Sequence, residues 1–210
     1  MADVLTPAAG TPTDATTDTT WPSPGTASRA LYIAAVTLVA SMVAISLFFG
    51  GAGAFWGPVN DLLVVATVLL LLPAMAILPR LVGEGEGRWL RLVSVLAIAG
   101  VLVIAVGQLA LVAGLITLDT SFLTGGLGIL PVIAWVGATA VPARRSAFPG
   151  RSVAAWAVAF LALVGLTIVV LATLTTDTPT LTGVLGVPLV IALLGWLVSL
   201  ARALARAEVR

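Results

Sequence analysis

DLLVVATVLLLLPAMAILPRLVGEGEGRWLR, residues 61–91, contains the pattern that decides the fold. Residues 62–79 carry no charge, and arginines follow at positions 80, 88 and 91 around a glycine-rich turn. A helix rises about 1.5 Å per residue, so roughly 20 residues cross a hydrocarbon core of about 30 Å. Because lipid offers no partner to backbone polar groups, an uncharged run of this length predicts a membrane-spanning helix.

The same pattern recurs along the whole 210-residue chain, which is 60% apolar and only 9% charged. A soluble domain normally carries roughly 25% charged residues. We predict an all-α membrane protein whose six spanning helices form three antiparallel hairpins, because the connections are short. The predicted spans are residues 30–50, 61–79, 90–116, 122–142, 152–174 and 180–201.

The charges predict the orientation of this bundle. Positively charged residues stay in the cytoplasm during insertion, so the side that carries all the arginines is expected to be cytoplasmic. These arginines are Arg29, Arg80, Arg88, Arg91, Arg144, Arg145, Arg151, Arg202, Arg206 and Arg210. The connections on the other side hold only Asp61, Asp119 and Asp177. We therefore expect a multi-pass protein of the cell membrane with both termini in the cytoplasm.

The first 28 residues differ in composition from the rest of the chain. They are rich in Thr, Pro and Asp and poor in large apolar side chains, which predicts a disordered cytoplasmic tail at residues 1–28. No basic segment precedes an apolar core here, so a cleaved signal peptide is not expected. Residues 29–210 then form the six-helix transmembrane domain.

Two segments 58 residues apart resemble each other. DTSFLTGGLGILPVIAWVG (119–137) and DTPTLTGVLGVPLVIALLG (177–195) share eleven of nineteen residues. This match predicts an internal repeat in which the third and fourth spans correspond to the fifth and sixth, related by an axis along the membrane normal. The alternative is that hairpins of equal length simply space their loops equally.

Few polar residues lie in or beside the apolar runs. Asp61, Asp119 and Asp177 are interpreted as acids at the outer rim, either a mouth that attracts cations or, as we favour, residues that cap helix N-termini. Asn60 and Asp61 follow a Gly-Pro bend and form, with Gln108 in the third run, a candidate polar site. The alternative role for Gln108 is a hydrogen bond between helices.

Small residues and prolines predict how the helices pack. Gly100, Gly107 and Gly114 recur every seven residues, which predicts a smooth stripe for close helix contact, with a sliding surface as the alternative. Prolines within the second, fourth and sixth runs predict kinks, at Pro73, Pro131 and Pro188. Two tryptophans away from the run ends are interpreted as packing residues, Trp135 and Trp196.

The chain contains no His, Cys or Lys. Disulfides, imidazole or thiolate metal ligands, haem ligated through these residues and lysine Schiff bases are therefore excluded. No phosphate-binding loop motif is present, and a net charge of +1 gives no nucleic-acid footprint. We expect no enzymatic activity, no cofactor and no nucleic-acid partner.

GPVNDLLVVATVLLLLPAMAILPR, residues 57–80, resembles the region of the first two helices in uncharacterised bacterial six-helix integral membrane proteins. The resemblance implies a six-helix membrane domain. It supplies no activity and no site residues.

Three functions are compatible with these features. We favour a non-enzymatic membrane component that packs with or regulates a partner, which is another membrane protein or a second copy within the lipid bilayer. The alternative is a small transporter or channel that uses Asn60, Asp61 and Gln108 and needs an aqueous path to them. An intramembrane enzyme is the third hypothesis.

The arginine distribution makes a prediction about topology. Because arginines resist translocation, a fluorescent protein fused after Arg210 should fluoresce in the cytoplasm. Alkaline phosphatase inserted beside Asp119 should be active, because that position should lie outside. The measurement is a paired alkaline phosphatase and fluorescent-protein fusion assay. An external signal from the C-terminal fusion would contradict the six-span topology.

Overall fold

A computed structural model describes residues 22–145, 148–173 and 179–209. These residues form helices without strands and provide six spans long and apolar enough to cross a membrane, as expected for a multi-pass membrane protein. The helices are α1 (Pro24–Phe49), α2 (Trp56–Leu69), α3 (Leu72–Leu81), α4 (Glu84–Val112), α5 (Leu118–Arg145), α6 (Arg151–Thr173) and α7 (Pro179–Glu208). The all-helical fold with six spans is thereby confirmed, and α2 and α3 together make the second span.

The spans form a closed ring in which each packs against its neighbours in the chain. The ring closes where α7 packs against α1. At this seam the buried Ser28 Oγ donates a hydrogen bond of 2.9 Å to the backbone oxygen of Ala201. Nearby, Ser23 Oγ donates to Glu208 Oε1 over 3.3 Å, so the start of the first span and the end of the last lie side by side.

The first helix begins earlier than predicted. Ser23 caps it by accepting a 3.1 Å hydrogen bond from the Thr26 N–H, and Pro24 occupies the first helical position, where its missing N–H costs nothing. Residues 24–28, which the sequence pattern places in the N-terminal tail, are therefore helical, and three of them are buried. The predicted disorder of residues 1–21 lies outside the described residues.

The prolines act differently from one span to another. At Pro73 the second span breaks: the Leu71 N–H bonds to Val68 O at 3.2 Å, a tighter turn than an α-helix, and α3 starts at Leu72. By contrast, α5 continues through Pro131 and α7 through Pro188. The helix α5 continues through Pro142 to Arg145, and the apolar span within it ends at Ala143, one residue beyond the predicted end.

Two tryptophans form the centre of the buried core. Trp135 on α5 and Trp196 on α7 are fully buried, with ring centroids 5.3 Å apart at 86°. Each indole N–H is satisfied, by Ser94 Oγ on α4 at 3.0 Å and by Thr139 Oγ1 on α5 at 3.1 Å. The predicted packing role is confirmed, and these bonds tie together three spans.

Glycines bring α4 and α5 into close contact. A Cβ at Gly128 would lie 2.7 Å from Gly100 O and 2.6 Å from Ile104 Cγ1. A Cβ at Gly100 would overlap the backbone oxygen of Gly128 in return. Seven residues further along α4, a Cβ at Gly107 would lie 2.6 Å from Thr124 Oγ1. At Gly100 the two backbones therefore approach too closely for a side chain, and at Gly107 the side chain of Thr124 occupies the space.

Gly114 does not extend this stripe, and its predicted packing role is wrong. It lies beyond the end of α4 with φ +69°, and nothing lies within 4 Å of a Cβ built there. Its N–H bonds to Leu111 O at 2.9 Å while the Leu115 N–H bonds to Ala110 O at 2.8 Å. This pair of bonds is the Schellman motif, which satisfies the last carbonyls of a helix and needs a left-handed residue.

The internal repeat stays a prediction. Gly165 and Gly186 are the counterparts of Gly107 and Gly128 at a spacing of 58 residues. A Cβ at either counterpart meets no described atom within 4 Å, unlike the crowded positions between α4 and α5. The packing at Gly186 therefore differs from that at Gly128. The counterpart of Thr124, Thr182, has a side chain outside the described residues, so Gly165 and Gly107 are not compared.

Gly128→Ala should destabilise the bundle because the new methyl group meets backbone atoms that cannot rotate away. Overpacking costs about 1–3 kcal/mol, which should lower the melting temperature in detergent. Gly126→Ala is the matched control, since Gly126 lies two residues away on the same helix with open space around it. Equal melting temperatures for the two variants would contradict the close contact between α4 and α5.

Candidate functional site

A polar cluster lies between α1 and α2. The fully buried Ser41 donates a 2.7 Å hydrogen bond from Oγ to Asn60 Oδ1. Asn60 Nδ2 in turn lies 3.4 Å from Asp61 Oδ1, to which it donates. We call Ser41, Asn60 and Asp61 the Asn60 cluster; it places two of the three predicted polar residues together.

The start of α2 positions this cluster inside a span. The helix begins at Trp56, so Asn60 and Asp61 are its fifth and sixth residues, and both are half-buried. The N-cap position belongs to Phe55, which makes no side-chain capping bond. Only the first four N–H groups of a helix lack partners, so Asp61 lies too far along α2 to cap it. The favoured capping role of Asp61 is wrong.

Asp119 has a different environment from Asp61. It is exposed, in the first turn of α5, where the positive end of the helix dipole favours a carboxylate. The residue that accepts a bond from a free N–H is Thr117, whose Oγ1 lies 3.4 Å from the Thr120 nitrogen. Asp119 is thus a rim acid but not the cap, and Asp177 lies outside the described residues.

A second polar contact joins α1 and α2 one turn deeper. Thr67 Oγ1 lies 2.8 Å from Thr37 Oγ1 and 2.8 Å from Leu63 O, and Thr37 Oγ1 donates to Ala34 O at 3.1 Å. Thr37 and Ser41 are four residues apart, so they share one face of α1. The two helices are therefore joined by two successive polar contacts.

A cavity of about 180 Å³ lies at the centre of the ring, between α1, α2, α5, α6 and α7. Apolar side chains such as Val132 and Phe160 make most of its wall. The hydroxyls on the wall belong to Ser41 and Thr67 and are already engaged in the contacts above. Neither Asn60, Asp61 nor Gln108 lines this cavity. It suits an apolar occupant and does not supply an aqueous path to those residues.

Gln108 does not belong to the Asn60 cluster. It is half-buried on α4, and its Oε1 is buried without a hydrogen-bond partner among the described residues. A buried acceptor left unpaired costs about 1–3 kcal/mol. The expected interhelical hydrogen bond to this oxygen is therefore not found. No group of three acidic residues suited to hold a metal occurs within the described ranges.

Sequence reasoning missed the hydroxyl partners of these polar groups. Four hydroxyl groups take part in hydrogen bonds between two helices, those of Thr37, Ser41, Ser94 and Thr139. A hydroxyl in an apolar run bonds its own helix backbone as readily as a neighbour, so its position alone does not reveal a partner. The four-residue spacing of Thr37 and Ser41 is the one signal available in the sequence.

Comparisons with protein-family models, curated proteins and solved structures found no match to the chain. The resemblance of residues 57–80 to bacterial six-helix proteins receives no support from these comparisons. What can be inferred about function therefore rests on the geometry of the bundle.

Proposed function

We propose that this protein is a non-enzymatic component of the cell membrane that acts through contacts of its helical bundle with a second copy or another membrane protein. The proposal rests on one observation, that polar groups inside the ring are engaged in hydrogen bonds between helices. The hydroxyls at the central cavity and both core indoles are engaged in hydrogen bonds, and the cavity itself is apolar. Such groups stabilise helix packing and leave little free chemistry within the bundle.

The proposed orientation places both termini in the cytoplasm. Ser23 and Glu208 are hydrogen-bonded, so the start of the first span and the end of the last lie on one face of the bundle. Helices that alternate in direction bring Arg29, Arg80 and Arg151 to this same face. The excess of arginine there supports a cytoplasmic location.

The absence of enzymatic activity is part of the proposal. The sequence holds no His, Cys or Lys, which are the commonest bases and nucleophiles at neutral pH. Asp61 is hydrogen-bonded to Asn60 and lies outside the wall of the central cavity. No described feature pairs a nucleophile with a base.

Contacts with another protein can be tested through the cysteine-free sequence. A single cysteine at the exposed Val36, Val106 or Ile168 accepts a maleimide–benzophenone label in native membranes, and illumination then captures a neighbouring protein. At least one face should give a discrete adduct on an immunoblot. Val101→Cys is the matched control on α4, since that position is fully buried and should not be labelled. Unshifted bands from all three exposed faces would contradict the proposal.

The second candidate function is transport of a cation or another small solute. A specific observation favours it: the Asn60 cluster holds a half-buried carboxylate inside a span, and a carboxylate there is costly unless it is used. The unpaired Gln108 oxygen is a second polar group within the membrane.

Asp61→Asn separates the two candidates because it keeps the shape of the side chain and removes its charge. If the protein is a packing component, proteoliposomes should show no cation flux above empty vesicles, and the variant should not change it. Ser46→Ala serves as the control, since Ser46 Oγ bonds only Met42 O on its own helix. A flux abolished by Asp61→Asn but kept by Ser46→Ala would establish transport instead.

A further inference from the structure

Three arginines converge on one cavity at the junction of α3 and α4. The cavity measures about 390 Å³ and is lined by Arg80 from α3 and by Arg88 and Arg91 from α4. Pro79 and Gly87 are the buried residues of its wall.

The turn between α3 and α4 produces this convergence. Gly83 adopts φ +89°, which lets the chain reverse within two residues. A Cβ at Gly87 would lie 2.7 Å from Pro79 O, so the two backbones touch and hold the guanidinium groups around a common space.

The electrostatics of the cavity favour an anion. Like charges around one space repel each other, and that repulsion is relieved when a negative group enters. Arg88 is the fifth residue of α4 and lies close to the positive end of the helix dipole, which adds to the positive potential there. A guanidinium group presents a planar fork that matches two oxygens of a phosphate, so phosphate is the anion that suits this cavity.

The depth of the cavity identifies the source of the phosphate. The second span ends at Leu81 and the third begins at Gly87, so the cavity lies where two spans leave the hydrocarbon. Trp89 is 60% exposed beside Arg88, and exposed tryptophans at span ends lie at the level of the lipid headgroups. The phosphates of the bilayer lie at this same level.

We propose that the cavity formed by Arg80, Arg88 and Arg91 binds the phosphate of an anionic membrane phospholipid. Basic pockets between helices on the arginine-rich side of a membrane protein are suited to such headgroups. The site is independent of whether the bundle transports a solute or contacts a partner. Its role is selection of one lipid class at one place on the ring.

Native mass spectrometry of the detergent-purified protein tests this site. Phosphatidylglycerol is titrated against phosphatidylcholine, and the bound molecules are counted at each concentration. We expect tighter binding of phosphatidylglycerol, and a loss of roughly 25-fold in Arg88→Gln/Arg91→Gln, at about fivefold per arginine near the surface. Arg202→Gln/Arg206→Gln is the matched control, because it removes two exposed arginines from α7 on the same face. It should bind the lipid within about twofold of the parent protein if the cavity is the site.

Each other outcome overturns the assignment. Equal losses in the two double variants would mean diffuse attraction to the surface and no defined site. Inorganic phosphate that displaces the lipid at similar concentrations would mean a site for a soluble anion. The turn also carries Glu84 and Glu86 in its sequence. A third outcome is that the parent protein shows no preference for phosphatidylglycerol and only Glu84→Gln/Glu86→Gln does. In that case the two carboxylates neutralise the arginines in the parent protein, and the proposal is wrong.

Discussion

A peptide group in hydrocarbon has no water to bond, and this constraint governs the whole structure. It requires each span to be helical, and it also governs the details at helix ends and at prolines. Gly114 ends α4 with two backbone bonds that satisfy its last carbonyls, and Ser23 begins α1 with a side-chain cap. Side-chain polar groups obey the same rule, so the indoles of Trp135 and Trp196 each have a partner on another helix. The Gln108 oxygen departs from the rule among the described residues, which makes it a conspicuous polar group in the bundle.

Neighbouring helices in the ring are joined in two physically different ways. Between α4 and α5 the glycines remove side chains, so that backbones meet and dispersion forces act over a short distance. Between α1 and α2 hydroxyl and amide groups are present, and Ser41 and Thr67 join the helices through directional bonds. Lipid tails are as apolar as leucine, so neither contact benefits from the hydrophobic effect as it would in water. Shape and hydrogen bonding must therefore hold the bundle together.

The number of spans and their alternating directions could be predicted from the sequence because hydropathy and arginine position are local signals. The core role of Trp135 and the close approach at Gly107 could be predicted for a similar reason, since side-chain size limits where each residue fits. The role of Asp61 could not be predicted, because it depends on where α2 begins. The helix starts at Trp56, five residues before the predicted start of the span at residue 61, so Asp61 is not at the helix end. Gly114 was assigned to a stripe because a seven-residue spacing does not show where the helix stops. The convergence of Arg80 with Arg88 depends on the fold of a glycine turn, whose geometry the sequence pattern leaves open.

The seam between α1 and α7 has a consequence for how the protein is made. Ser28 and Ala201 are joined by a buried hydrogen bond across nearly the full length of the chain. During synthesis the first span enters the membrane long before its partner exists, and its small buried residues, such as Ala27, face lipid until the last span arrives. The ring can therefore close only after translation is almost complete. A chain that lacks its final helix leaves this edge uncovered in the bilayer, a feature by which membrane quality control could distinguish an unfinished chain from a finished one.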